Sequence, residues 1–135
     1  MAIFLSNDVQ VTLNAVDLTD HVTSASISRV FDELEVTAMG DTSHVFVKGL
    51  EASTITLDFL NDTATSNVLQ TLQAAWGTTV ALTLKQTSGA TSATNPLYST
   101  TVLVNNTTDI NGAVGDISTQ SITFTCNSPI VITTS

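Results

Sequence analysis

The chain has 135 residues, 42% of them apolar, and sets three Lys and Arg against twelve Asp and Glu for a formal net charge of −9. That length and apolar share fit one folded domain with its own core and do not fit a disordered segment. So acidic a balance excludes nucleic-acid binding through phosphate contacts, for which only Arg29, Lys48 and Lys85 are on hand, while leaving open a surface that DNA slides past without sticking.

Ser and Thr make up about three residues in ten, and the Thr content favours strands. In chain order, Val9, Val11 and Leu13 alternate with Gln10 and Thr12 as a first strand. Asn14-Ala15 then offers a turn, and Val16 to Asp20 a short return strand and corner. From Val22 to Phe31 the alternation places Ala25, Ile27 and Phe31 on one side and Ser24, Ser26 and Ser28 on the other, with Arg29 intruding on the apolar side. Ser53 to Leu60 repeats the pattern, with Ile55, Leu57 and Phe59 against Thr54, Thr56 and Asp58.

Asn61 to Ser66 is rich in capping residues, and the stripe Val68, Leu69, Leu72, Ala75 and Trp76 predicts an amphipathic helix of about three turns. Gly77 stands where a left-handed cap would end it, and Trp76 is expected in the core. Thr79 to Gln86 is a strand with Val80, Leu82 and Leu84 inward. Ser88 to Pro96 is a small-residue loop expected to be mobile or ordered only by a neighbour. Tyr98 to Asn105 is a strand, Asn106 to Asp116 a Gly-containing loop, and Ile117 to Cys126 a long strand with Ile122, Phe124 and Cys126 on one face. After Pro129, residues Ile130 to Ile132 form an edge strand or a tail that adds to another subunit's sheet. The sum is seven or eight strands and one helix without a βαβ rhythm. We therefore expect a mainly β fold, a β-sandwich or barrel of two packed sheets with one flanking α-helix and a long extended loop, forming a single domain over residues 1–135.

That extended loop lies within Arg29 to Asp62. Its connection between two strand patterns is too long for a simple hairpin turn and carries Asp32, Glu33 and Glu35 around Leu34, Val36 and Ala38, so one face is acidic and the other can be buried. A structureless connection of this length in a compact domain usually serves a function, and it is read as an interaction arm.

Chemistry is sparse. No G-x-S-x-G elbow is present, His21 and His44 lie in loop-like segments with no third partner, and no Cys/His pair has metal spacing, so neither catalysis nor a cofactor or metal is expected. Asp109-Ile110-Asn111-Gly112 begins like a calcium loop, but Gln120 stands where its twelfth-position glutamate belongs. Cys126 is alone, which excludes an internal disulfide and fits a reducing compartment. Met1 to Leu5 is too short and lacks the basic start of a signal peptide, and no apolar run could span a bilayer, so cytoplasmic synthesis with no membrane partner is expected.

Several stretches together resemble the major tail, or tail tube, proteins of long non-contractile-tailed phages. They are Glu35-Val36-Thr37-Ala38-Met39-Gly40-Asp41-Thr42, Gly49-Leu50 with the alternating strand ending in Asn61-Asp62, and Val16-Asp17-Leu18-Thr19-Asp20-His21-Val22. Further along come the helix leading to Trp76-Gly77-Thr78, then Ser92-Ala93-Thr94-Asn95-Pro96-Leu97-Tyr98 and Val114-Gly115-Asp116. They are collinear and cover most of the chain. The resemblance implies two packed sheets with one helix, and rings of six subunits that stack into a tube for genome passage. It further implies assembly in the host bacterial cytoplasm, a place in the virion tail, and tape-measure and tail-terminator proteins as partners. On that reading Asp32, Glu33, Leu34, Glu35, Val36, Met39, Gly40, Asp41, Val45 and Lys48 make inter-subunit contacts. Ser24, Ser26, Ser28, Thr54, Thr56 and Asp58 then face a channel through which double-stranded DNA passes. Two other readings stay open: another tail component of the same fold (minor tail, tail-terminator or secretion-type tube protein), and a monomeric β-sandwich carbohydrate-binding module.

Overall fold

A computed structural model of the chain describes residues 9–63, 68–87 and 89–134. The Met1 to Leu5 stretch and the second half of the capping run before the helix fall outside them. Among the described residues ten strands form: β1 Gln10–Leu13, β2 Val16–Asp17, β3 Val22–Ser28, β4 Phe31–Glu35, β5 Phe46–Glu51, β6 Thr54–Leu60, β7 Thr79–Lys85, β8 Leu97–Leu103, β9 Thr119–Cys126 and β10 Val131–Thr133. A single 3₁₀ turn, Thr19–His21, follows β2, and helix α1 spans Val68–Ala74.

Eight strands make one antiparallel sheet in the order β2-β1-β7-β8-β9-β6-β3, with β10 also on β8; among the described residues β4 and β5 pair only with each other. The fold is mainly β, with one large antiparallel sheet, one small sheet and one helix. Asn14 and Ala15 both adopt positive φ (51° and 65°), the two-residue turn that matches strand twist between β1 and β2. Asp17 accepts hydrogen bonds from the Thr19 hydroxyl and backbone N–H, which lower its pKa and fix the corner that drops Leu18 into the core.

Strict alternation places the core. Val11 and Leu13 of β1, Ile55, Leu57 and Phe59 of β6, Leu82 and Leu84 of β7, Val102 of β8, and Ile122 and Phe124 of β9 form one buried cluster with Val68, Leu72 and Ala75 from the helix region. The arms β2-β1-β7-β8 and β9-β6-β3 thus act as the two packed layers of one continuous sheet. They part at β8 and β9, which share only the pairs Val102 with Cys126 and Leu103 with Thr125 before diverging. Past Cys126 the chain kinks. Ser128 accepts from the Thr101 N–H (3.1 Å) and lies 3.0 Å from the Thr101 hydroxyl, and the chain then rejoins the same edge of β8 as β10. The final strand therefore pairs within its own chain.

Three local expectations need correction. Trp76 is 55% exposed rather than a core anchor. Ala75 N–H still bonds the Thr71 carbonyl four residues back, but Trp76 N–H bonds Gln73, three back. This tightening to 3₁₀ spacing rotates Trp76 off the buried stripe. As the sole tryptophan, it should emit at the long wavelengths of solvated indole in the native protein and shift little on denaturation. A blue-shifted native spectrum would contradict its placement.

The loop after β7 is tied down within the chain. Asn95 is buried; its side-chain oxygen accepts from the Thr87 N–H (3.2 Å), and its amide donates to the carbonyls of Gly89 (3.1 Å) and Ala90 (3.3 Å). Phe31 does not continue the apolar side of β3. That strand ends at Ser28, and Phe31 opens a separate one with half its surface in solvent.

Candidate functional site: a projecting hairpin and a hydroxyl face

The expected structureless connection is a β-hairpin. Phe31 pairs with Glu51, Glu33 with Lys48, Leu34 with Val47 and Glu35 with Phe46. One further rung adds the Val36 N–H to the Val45 carbonyl at 2.8 Å. Beyond it, Thr37 accepts from the Val45 N–H (2.9 Å) and donates to Glu35 (2.8 Å), and His44 Nδ1 meets the same carboxylate. Ala38-Met39-Gly40-Asp41 closes the tip: Asp41 N–H bonds the Ala38 carbonyl (3.1 Å), and its carboxylate accepts from the Ala38 N–H (2.8 Å). Gly40 has φ +94°, the value a type II turn requires at its third position. Met39 at the apex is fully exposed.

Pairing and alternation sort the hairpin into two faces. One carries Leu34, Val36, Val45 and Val47, between 40 and 52% exposed. The other carries Glu33, Glu35, Phe46 and Lys48, with the Lys48 ammonium 4.8 Å from the centre of the Phe31 ring. Glu33 and Glu35 lie opposite Leu34 and Val36 as the sequence pattern places them, but Asp32 alternates with Glu33 and falls on the Leu34 side, and neither face is covered among the described residues. Phe46, Val47 and Leu50 are further exposed apolar residues beside Phe31, and the sequence pattern did not mark them as contacts. The signal lay in the apolar run Val45-Phe46-Val47, beyond which the register shifts between the Glu33–Lys48 and Phe31–Glu51 pairs.

Gly49 sits at that shift, where a Cβ would stand 3.1 Å from both the Cβ and the carbonyl oxygen of Asp32. A backbone oxygen cannot swing aside. Gly49→Val should therefore splay the hairpin, read as faster amide exchange at Val36 and Val47, while the melting temperature of the body stays unchanged. Wild-type protection in this variant would refute the close approach.

Glu51 anchors the root of the hairpin to the body. Its carboxylate accepts from the Ile130 N–H and the Ser53 hydroxyl, both at 2.9 Å. The Ile130 N–H, then the Ser53 hydroxyl and the charge of Arg29, hold its pKa below the ordinary carboxylate value. Because the folded-state pKa is the lower one, this clamp is at full strength above the ordinary carboxylate range and is lost as pH falls through the folded value. Exchange of the Ile130 amide should accelerate, beyond its intrinsic pH dependence, below that range. Glu51→Gln should remove this transition, and an unchanged profile would show that the clamp does not hold.

The six hydroxyl-face residues named from sequence fall on one surface. Ser24 pairs with Asp58, Ser26 with Thr56 and Ser28 with Thr54. Across β6, Asp58 pairs with Ser121, Thr56 with Thr123 and Thr54 with Thr125. The result is a three-by-three array in which only Asp58 is charged, and the Thr56 and Thr123 hydroxyls lie 3.2 Å apart. The opposite side of the same strands packs on the core, so this face is supported from beneath.

Elsewhere, Cys126 is half-buried and burial raises its thiol pKa, against a hydrogen bond from Thr100. Among the described residues no three His, Cys, Asp or Glu side chains are placed to hold a metal ion, and no helix is long and apolar enough to cross a membrane. Comparison with protein-family models and with curated proteins returns no match.

Proposed function

We propose that this protein is a structural subunit that self-assembles into stacked rings forming the tail tube of a long-tailed phage. The observation that carries the proposal is the hairpin. It presents a contiguous apolar face that nothing among the described residues covers, and exposed clusters of this kind on a rigid support mark contacts between chains. A hairpin on one copy and its receptor elsewhere on the next make a heterologous contact, which closes into a ring or runs on as a filament according to the rotation between copies.

The hydroxyl array supplies the second half of the reading. A bore lined by Ser24, Ser26, Ser28, Thr54, Thr56 and Asp58, extended by Ser121, Thr123 and Thr125, offers hydrogen-bonding groups and no cation to grip phosphate. On this reading DNA passes without sticking, tape-measure and terminator proteins set the tube's length, and the chain carries out no catalysis. Negative-stain microscopy of the purified protein tests the proposal, with hollow tubes expected. Isolated rings would instead indicate a minor tail or terminator role.

The exposed Trp76 favours one second reading, a monomeric carbohydrate-binding module that stacks the indole on a sugar. A monomer at high concentration whose melting temperature rises with oligosaccharide would establish it.

A further inference from the structure

A cleft of about 950 Å³ runs between β3 and the end of the β7–β8 hairpin, and it differs in charge from the rest of the molecule. Among the described residues β3 pairs only with β6, so its outer backbone edge faces the cleft without a strand partner. Arg29 and Lys85, two of the protein's three basic residues, line it together with Val22, Ile27, Leu84, Tyr98 and a single acid, Asp20. Neither cation comes within ion-pair distance of a carboxylate among the described residues, Arg29 acting on Glu51 only through its longer-range charge.

We propose that this cleft receives the β4–β5 hairpin of a second copy of the chain. The inference rests on the tube reading above and names the contact that reading leaves open. Both surfaces have the same two-sided chemistry. The hairpin has an apolar face around Leu34, Val36 and Val47 and an acidic one with Glu33 and Glu35; the cleft offers apolar side chains and two cations without a direct ion pair. Each also brings a row of unpaired backbone groups, β3 on one side and the outer edge of the hairpin on the other, so docking extends the sheet by strand addition. Seating the hairpin would cover its apolar face and give Arg29 and Lys85 carboxylate partners. The hairpin leaves the body directly after β3, at Arg29 and Val30, and among the described residues pairs with no strand of its own chain's main sheet.

Charge reversal and mixing test the assignment. Arg29→Glu/Lys85→Glu leaves the hairpin acidic and makes the cleft acidic; Glu33→Lys/Glu35→Lys makes the hairpin basic and leaves the cleft basic. Each variant alone should need at least about tenfold more protein to assemble, the expected scale for like charges replacing an interfacial pair. An equimolar mixture should assemble near the wild-type concentration, because every hairpin then meets a cleft of opposite sign. Circular dichroism melts establish that both variants are folded. Arg29→Glu/Lys85→Glu protein that assembles like wild type, or a mixture that stays as impaired as its components, would overturn the cleft as the receptor while leaving the tube reading in place. Wild-type protein that remains monomeric would overturn both.

Discussion

Replacing Glu35 to Lys48 with a short glycine-serine linker should leave a folded protein that forms no tubes. Among the described residues, strands β4 and β5 pair with no other strand and contribute no side chain to the buried cluster, so the deletion should remove no core contact and open no cavity. Surface changes away from buried features alter stability by only about 0.5 kcal/mol. The Glu51 anchor and the buried Ser53 lie outside the deleted stretch, so the root of the hairpin keeps its attachment. The thermal midpoint should therefore stay close to wild type while sedimentation velocity changes from polymer to monomer. Tubes of ordinary length from this variant would remove the hairpin from any role in assembly, and a chain that fails to fold would show that it belongs to the body.

Phe124→Ala should have the opposite profile. Phe124 is fully buried on β9, pairs with Ile55 and packs among residues from both arms of the sheet. Truncating a buried Phe costs about 3–5 kcal/mol in lost transfer energy plus the cavity left behind. Against a typical total stability of about 5–15 kcal/mol, that is a large share. The expected drop in melting temperature is about 10–20 °C for a domain of this size. Whatever fraction stays folded should still assemble, since Phe124 reaches neither the hairpin nor the hydroxyl array. A loss of only about 1 kcal/mol would mean that the two layers do not close on a common core.

Those contrasting outcomes follow the division between what the sequence made legible and what it did not. Strands β1, β6, β7 and β9 could be read because each has one side in the core and one in solvent, which imposes an alternation that local inspection detects. The hairpin defeated the same test. With both faces wet, no burial enforces the pattern, and the register shift at Gly49 and Leu50 breaks it just where β5 would otherwise have been recognised. The exposed Trp76 depended on a change from four-residue to three-residue spacing at the helix end, which a fixed helical period cannot anticipate. Serines and threonines could be assigned to strand faces one at a time, but their assembly into an array depends on β9 pairing with β6, a contact nearly seventy positions apart in the chain. The cleft was invisible for the same reason, since Arg29 and Lys85 approach a common space only through the order of the sheet.

That order also governs how the molecule must come into being. The strand joining the two halves of the sheet, β9, is made after both neighbours it bridges, β6 and β8. On the ribosome the earlier strands can form two ribbons, but each keeps an open inner border until Thr119 to Cys126 emerges and zips them together. Pairings between residues so far apart are slow to form, and borders left waiting are prone to adhere to other chains. The main sheet therefore stays divided until Thr119 to Cys126 has been made, which places the closing step of folding late in synthesis.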